Sequence, residues 1–541
     1  MNSFPLRLAL IIAATALLPA CSRRDSAGPG RAPAQAINVS LLGDPATLDP
    51  HLFTMMLEWQ VLCPLFEGLT HLAGDGITIQ PGVAERWDIS PDGLIYTFHL
   101  RHDAKWSNSD PLTADDFKFS MERMLNPALG FTSSSTVEPI VGALDFLEGR
   151  SKDFSTVGIR VIDAHTLEYR LRTRSPFFLT TVSTATPLGM PVHRGAVEKQ
   201  GGLTDRQNRW ARPGSLVGNG PFVLKEWKAN QHVTMIPNAH YWAASRVRLP
   251  EIRFQVVEDL AAEERMYRTG QLHLTWTIPP TKIAGYRQNQ AAEFQRSPIL
   301  HTHMIALNCG RRPFDDVRVR RALALALDTR SATDAAFSGR SLPARSFIRP
   351  GTGGFDPPPW PASDPAAARR LLAEAGYPDG RGFPAVELRV NSAGSDYAAL
   401  AEVMQQMWKK NLGIEITIAR MEFKTIVASL EAHQFDAAIV GYYYSVDDPS
   451  EPLVAKASKG NIGNFAGWSD ARFEQALEEL RTAKSDTERF HHFATMESAL
   501  ADSMPYIPLF HNDRVYLMRP SVKGVTPNSL LITDWREVRL E

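Results

Sequence analysis

The chain has 541 residues, 44% of them hydrophobic and 22% charged, with a formal net charge of −1. That length exceeds what one hydrophobic core serves, so two or three lobes are expected, and the composition is that of a soluble globular protein. Lys and Arg are scattered in short pairs such as Arg311-Arg312 and Lys409-Lys410, which leaves no electrostatic case for a nucleic-acid partner.

Residues 1–20 read as a signal peptide: Arg7 gives the positive start, and Leu8–Leu18 is an apolar stretch too short to span a bilayer. Leu18-Pro19-Ala20-Cys21 resembles a lipobox, with cleavage before Cys21 and lipid on its sulfur. Pro19 is unusual there, and an ordinary signal peptide with a coincidental Cys is the competing reading. Residues 21–36, rich in Arg, Ser, Gly, Pro and Ala, read as a flexible linker from the membrane.

Beyond it, Asp92-Gly93 signals a tight turn and Leu94–Leu100 alternates as a strand. Thr113 stands at a helix N-cap, with Asp116 in the capping-box position. Phe254–Val257 and Val386–Val390 read as strands, and Phe314–Arg330 as one helix with Asp315 and Asp316 at its positive end. Pro350–Pro361 reads as a loop. Asp364, Pro365 and Gly376 fall at the cap, first-turn and terminating positions of a helix. Ala398–Asn411 is a further helix, Ile414–Ile418 a strand, Phe435–Tyr444 a buried strand, and Phe473–Leu500 two helices split near Ser485-Asp486. Strands alternating with helices predict an α/β protein.

Catalytic chemistry finds no foothold in short motifs: there is no G-x-S-x-G, H-E-x-x-H or P-loop. His301 and His303 share a strand face, but no third metal ligand is indicated, so they read as structural. Besides Cys21, only Cys63 and Cys309 remain, and a disulfide and two free buried thiols are equally compatible with the sequence. The expectation is a protein that is not an enzyme and has no cofactor or metal. A membrane-tethered hydrolase with scattered catalytic residues is the alternative from another class.

A set of blocks gives a sharper signal. Asp92–Trp106 and Thr113–Phe117 closely resemble the D-G-x-x-x-T-F-x-L-R-x-x-x-K-W…T-A-x-D-F block of the oligopeptide- and dipeptide-binding proteins of ABC importers, solute-binding protein family 5. Asn108-Ser109-Asp110 departs from the family's usual Asp-Gly. Asp44–His51, Leu65-Phe66-Glu67-Gly68-Leu69, Gly218-Asn219-Gly220-Pro221-Phe222, Pro237-Asn238 with Tyr241-Trp242, and Pro313–Arg320 resemble further blocks of that family, in its order. Beyond Arg320 the resemblance rests on the order of elements.

The resemblance implies a type II periplasmic-binding-protein fold, with two main lobes joined by a hinge, an extra lobe, and ligand in the interlobe cleft. It implies lobe I from 37–66, 205–300 and 515–541, the extra lobe from 67–204, and lobe III from 301–514. It implies capture of short peptides as an added strand and delivery to ABC permease subunits. The receptor would be a monomer on the periplasmic face of a membrane, anchored through Cys21. A nickel chelate, glutathione, a sugar or a muropeptide is the alternative cargo on the same fold.

Carried over residue by residue, the stretch Leu52–Met56, including Thr54 and Met56, aligns with the lobe I edge strand, and Gly441–Tyr444 with the lobe III edge. Along that strand Tyr443 faces opposite to Tyr442 and Tyr444. Phe423 stands where the family usually has a ligand-facing Trp, and Asn391 and Tyr397 lie where the carboxyl end of the site is often lined. Core packing competes for each tyrosine and is the favoured reading for Phe423 and Met56. The family's amine-pairing Asp is replaced by Ser445, with Asp447 and Asp448 just beyond. Asp447 takes over that role, or the amine is met elsewhere, or the ligand lacks one; Asp448-Pro449 also fits a plain structural turn.

Overall fold

The strand Ile95–Leu100 buries Tyr96, Phe98 and Leu100 and leaves Thr97 and His99 half-exposed, as its alternation requires. Gly93, at φ +70°, makes the turn before it. The next helix, Ala114–Leu125, starts where Thr113 donates its backbone N–H to the Asp116 carboxylate at 2.8 Å. In this computed structural model residues 36–541 are described, except 54–55, 132–133, 208, 338–339, 393–394, 445, 462 and 484. The signal-peptide, linker and Cys21 expectations therefore lie outside the described residues, save for residue 36.

Three larger sheets organise the fold. In the first, Ile37–Leu41 runs parallel to Ile252–Val256, which continues antiparallel through His232–Pro237 to Phe222–Lys228. The second is antiparallel, in the order Ala84–Ile89, Ile95–Leu100, Thr166–Arg170, Ile159–Asp163. The third is mixed, in the order Leu342–Pro343, Tyr506–Leu517, Phe294–Leu307, Ala437–Tyr443, Val386–Asn391, Ile416–Met421. Its last three strands are mutually parallel.

Separate hydrophobic cores accompany the sheets. One joins Ile37, Phe66, Trp210, Phe254 and Trp535, so it draws on distant parts of the chain. A second is built between Leu69 and Leu188. Two more, on opposite faces of the third sheet, fall between Met304 and Phe510. Phe294–Leu307 and Tyr506–Leu517 are long, 14 and 12 residues, and pair with each other along most of their length.

Two expectations are corrected and one open question is answered. The helix expected over Phe314–Arg330 is two helices, Val317–Leu325 and Thr329–Phe337. Asp316 caps the first by accepting the Arg318 N–H, and Asp328 accepts from Ser331 at the start of the second, so the chain turns between two caps. Among the described residues of the edge strand expected at Leu52–Met56, Leu52 and Phe53 are not in a strand, and Met56 opens the helix Met56–Leu62, which buries Trp59 and Leu62, three residues apart on one face. Its Glu58, in the first turn, accepts the Ala46 N–H at 3.0 Å. The cysteine question resolves to two free thiols, Cys63 against the first core and Cys309 against the core on one face of the third sheet. Elsewhere the expected elements form within a few residues, including Pro365–Glu374 capped by Asp364 and the break at Ser485.

Candidate functional site

The family-like blocks meet one another in space. Asn219 accepts the Glu67 backbone N–H at 3.0 Å and donates its amide to the Glu67 carbonyl at 2.7 Å. The Glu67 carboxylate accepts from the Tyr241 hydroxyl and the Trp242 indole, each at 2.5 Å, and lies 3.6 Å from the Arg536 guanidinium. Gly220 admits no side chain, because a Cβ would stand 2.5 Å from the backbone of Leu65 and Phe66. Asp49 accepts from both ends of the Arg123 guanidinium and from the Trp210 indole. These blocks form a joint that fixes the first two cores against each other; none of the atoms just named is a catalytic pair.

Beside this joint lies a cavity of about 360 Å³. Its wall takes His51, Phe53, Met56 and Trp59 from the early chain, and Phe131 and Thr186 from the second region. Arg206, Ile299 and Leu300 line it too, with Tyr443 and Tyr444 from the third sheet and Ser529–Leu531 from the end of the chain. His51 is held by Arg123, which donates to its Nδ1 at 2.9 Å. Burial, reinforced by that guanidinium, lowers the His51 pKa to about 3, so the ring is neutral.

The residues singled out from sequence divide by position. Met56 and Tyr443 line the cavity, and their exposure, 40% and 57%, overturns the core reading for Met56. Phe423 is 51% exposed at the start of the helix Phe423–Glu431, so its core reading is overturned as well. Asn391, Phe423 and Tyr443 lie towards one edge, because Val386–Asn391, Ile416–Met421 and Ala437–Tyr443 are parallel; Asn391 and Met421 end level with each other, and Ala437–Tyr443 runs about three residues further. That is the carboxyl edge of the strands, where open α/β sheets bind ligands. Tyr397 and Gly441 sit one layer in. The Tyr397 hydroxyl donates to His303 Nε2 at 3.3 Å, and a Cβ on Gly441 would stand 2.3 Å from His301 Nε2. Thr54 and Ser445 lie outside the described residues.

The tyrosines alternate as expected: Tyr442 and Tyr444 rings neighbour each other at 5.9 Å, and Tyr443 stacks on His301 at 3.6 Å. Tyr444 is buried, its hydroxyl 2.6 Å from Thr302 Oγ1. His301 and His303 are bridged by Asn512, whose amide donates to them at 2.8 and 3.3 Å. Burial lowers His303 to about 3, and His301 also falls well below its usual value. Among the described residues no group of three or more His, Cys, Asp or Glu could hold a metal. Asp447 is oriented by the Gly353 N–H at 2.9 Å and the Ser529 hydroxyl at 3.0 Å, which puts it directly behind the cavity wall. Asp448 pairs instead with Arg489 and accepts from Ser450.

One ladder is left incomplete here. Ala437–Tyr443 pairs with His301–Leu307 along its whole length, but with Val386–Asn391 only at Ala437 and Ala438. Its final residues, at the cavity, have no assigned strand on that second side among the described residues. Sequence reasoning did not find Arg206, Phe131 or Leu530-Leu531, which come from segments without a shared motif.

The chain is similar to known proteins over most of its length. The model of the bacterial extracellular solute-binding proteins, family 5, matches residues 78–464. The periplasmic murein peptide-binding protein MppA of Escherichia coli is 30% identical over 494 residues, 90% of this chain and 89% of that protein. The probable deoxycholate-binding periplasmic protein YgiS of the same organism is 30% identical over 503 residues, 91% of each chain. Among solved structures, the unliganded open form of MppA matches with a TM-score of 0.80 at 28% identity, covering 94% of this chain and 98% of that one.

Proposed function

The chain belongs to family 5 of the bacterial extracellular solute-binding proteins and is a solute receptor, not an enzyme; from that premise we propose that it captures short peptides for an ABC importer. The observation that carries this reading is the unpaired side of Ala437–Tyr443 at the mouth of a 360 Å³ cavity. A peptide laid there as an added strand gains main-chain hydrogen bonds whatever its sequence, while the cavity takes a side chain. Tyr443 and the edge holding Asn391 and Phe423 form the rim, Met56 faces them across the cavity, and Gly441 and Tyr397 support the sheet from one layer in. Asp447, beside Ser445, meets the peptide amine by exchanging its Ser529 contact for the ammonium.

The lobes are assigned as 37–66 with 205–300 and 515–541, then 67–204, then 301–514. The paired strands Phe294–Leu307 and Tyr506–Leu517 serve as the hinge, and the similarity to an unliganded open form supports a cleft that closes on ligand. The receptor acts as a monomer, tethered through a lipid on Cys21, and hands its cargo to the permease in the closed form.

Native mass spectrometry of protein lacking residues 1–21, before and after denaturation, tests the ligand class. Released short peptides of mixed sequence are expected; a single non-peptide species would overturn the peptide assignment. Cys21→Ser is expected to release the full chain from membranes into the soluble fraction, and unchanged membrane retention would remove the lipid anchor.

A further inference from the structure

Two relatives at the same identity carry names with different ligands, so overall likeness does not decide what this cavity prefers. Its wall is more informative. Phe53, Met56, Trp59, Phe131 and Leu531 make it predominantly apolar. His51 contributes no charge, since its Nδ1 is committed to accepting from Arg123. Asp447 lies behind Ser529, whose hydroxyl donates to it and lines the cavity, so its charge reaches a ligand only where an ammonium displaces that contact.

Arg206 is the exception. It donates to the Leu129 carbonyl and forms no ion pair among the described residues. Its seat is shaped for it. Gly130, at φ +72°, leaves space in which an added Cβ would lie 2.2 Å from Arg206 Nη1. Filling the cavity with an apolar body removes water from this guanidinium, and a desolvated cation without a partner is costly. A carboxylate compensates that loss through the two-pronged geometry a guanidinium offers. A neutral or positively charged group at the same place does not.

We infer that the cavity selects a solute with a bulky apolar body and one carboxylate, and that Arg206 is the residue that meets the carboxylate. The inference rests on the receptor reading and narrows it. Two sources share this chemistry: the carboxyl end of an apolar peptide, and a free apolar acid.

Calorimetric titration separates them. The probes are Leu-Phe-Leu as the free acid, the same tripeptide as its carboxyl amide, and dodecanoate. A charge-assisted pair corresponds to a preference of roughly 10- to 100-fold for acid over amide. Arg206→Gln is expected to bring that ratio close to one, and Arg206→Lys to keep part of it. Unliganded thermal stability of Arg206→Gln should not change, since the side chain is exposed. Binding of the peptide acid alone assigns the carboxylate to peptides; binding of dodecanoate alone assigns it to free acids. Equal affinity for acid and amide, or a preference that survives Arg206→Gln, overturns the inference and leaves the peptide receptor standing. Failure of all three probes to bind overturns both.

Discussion

The joint around Asp49 and Glu67 and the cavity wall beside it are built on opposite principles. At the joint, charged and polar groups are buried and each is met by named partners: Asp49 by Arg123 and Trp210, Glu67 by Tyr241, Trp242 and Asn219. In the wall, apolar side chains such as Met56 and Tyr443 stand exposed with few specific partners. The joint needs particular residue types, because a buried charge without its partner is intolerable. The wall needs only volume and apolar character, because its partner is a solute that differs from case to case.

That contrast should break first at Arg123. Arg123→Ala leaves the Asp49 carboxylate buried and unpaired, and should cost about 3–5 kcal/mol in urea denaturation. A loss below about 1 kcal/mol would mean that water replaces the guanidinium and the joint is softer than described. The buried histidines make a second test. In the folded protein His51, His303 and His511 have pKa values lowered to about 3, with burial as the leading cause. Unfolded, they titrate near 6.5, so between the two values the unfolded chain binds more protons. Stability present above about pH 6.5 should therefore be lost as pH falls towards 3. His303→Gln should flatten that slope in denaturation midpoints measured across the range; an unchanged slope would assign the acid sensitivity to carboxylates.

A smaller effect is expected where the two principles adjoin. Gly441→Ala forces a Cβ against His301 and His303 and should cost about 1–3 kcal/mol of stability. Tolerance of alanine there, read by thermal melting, would show that the histidine pair shifts easily. Smallest in stability, and most pointed, is Met56→Ala. An exposed wall residue should change the unliganded melting free energy by no more than about 0.5 kcal/mol, while peptide affinity measured by calorimetry falls. Destabilisation without loss of affinity would place Met56 in the scaffold instead.

The same division explains what could be read in advance. Joint residues announce themselves: Glu67, Asn219, Tyr241 and Trp242 fall in blocks because each must find the others. Strands and caps governed by local chemistry were also legible, as at Ile95–Leu100 and Asp364. The expected Leu52–Met56 edge strand was not, because helix Met56–Leu62 buries Trp59 and Leu62 in the first core, which the local pattern does not reveal. Arg206 was invisible for a different reason. Its meaning depends on Gly130, Phe131 and Leu531 arriving beside it from distant segments, and on its forming no ion pair among the described residues.

The first core also bears on how the molecule comes into being. Ile37 and Phe254 pack in it with Trp535, whose ring meets Phe254 at 5.7 Å, and Val522 and Val538 complete it. A chain emerging in order from its amino terminus therefore cannot close this core until its final stretch has been made, whereas the core between Leu69 and Leu188 is available early. Connectivity alone thus delays closure of the first core until the carboxyl end of the chain is made. Stopping synthesis at residue 514 should leave the core between Leu69 and Leu188 and the cores between Met304 and Phe510 protected, while the segments of the first core become protease-sensitive.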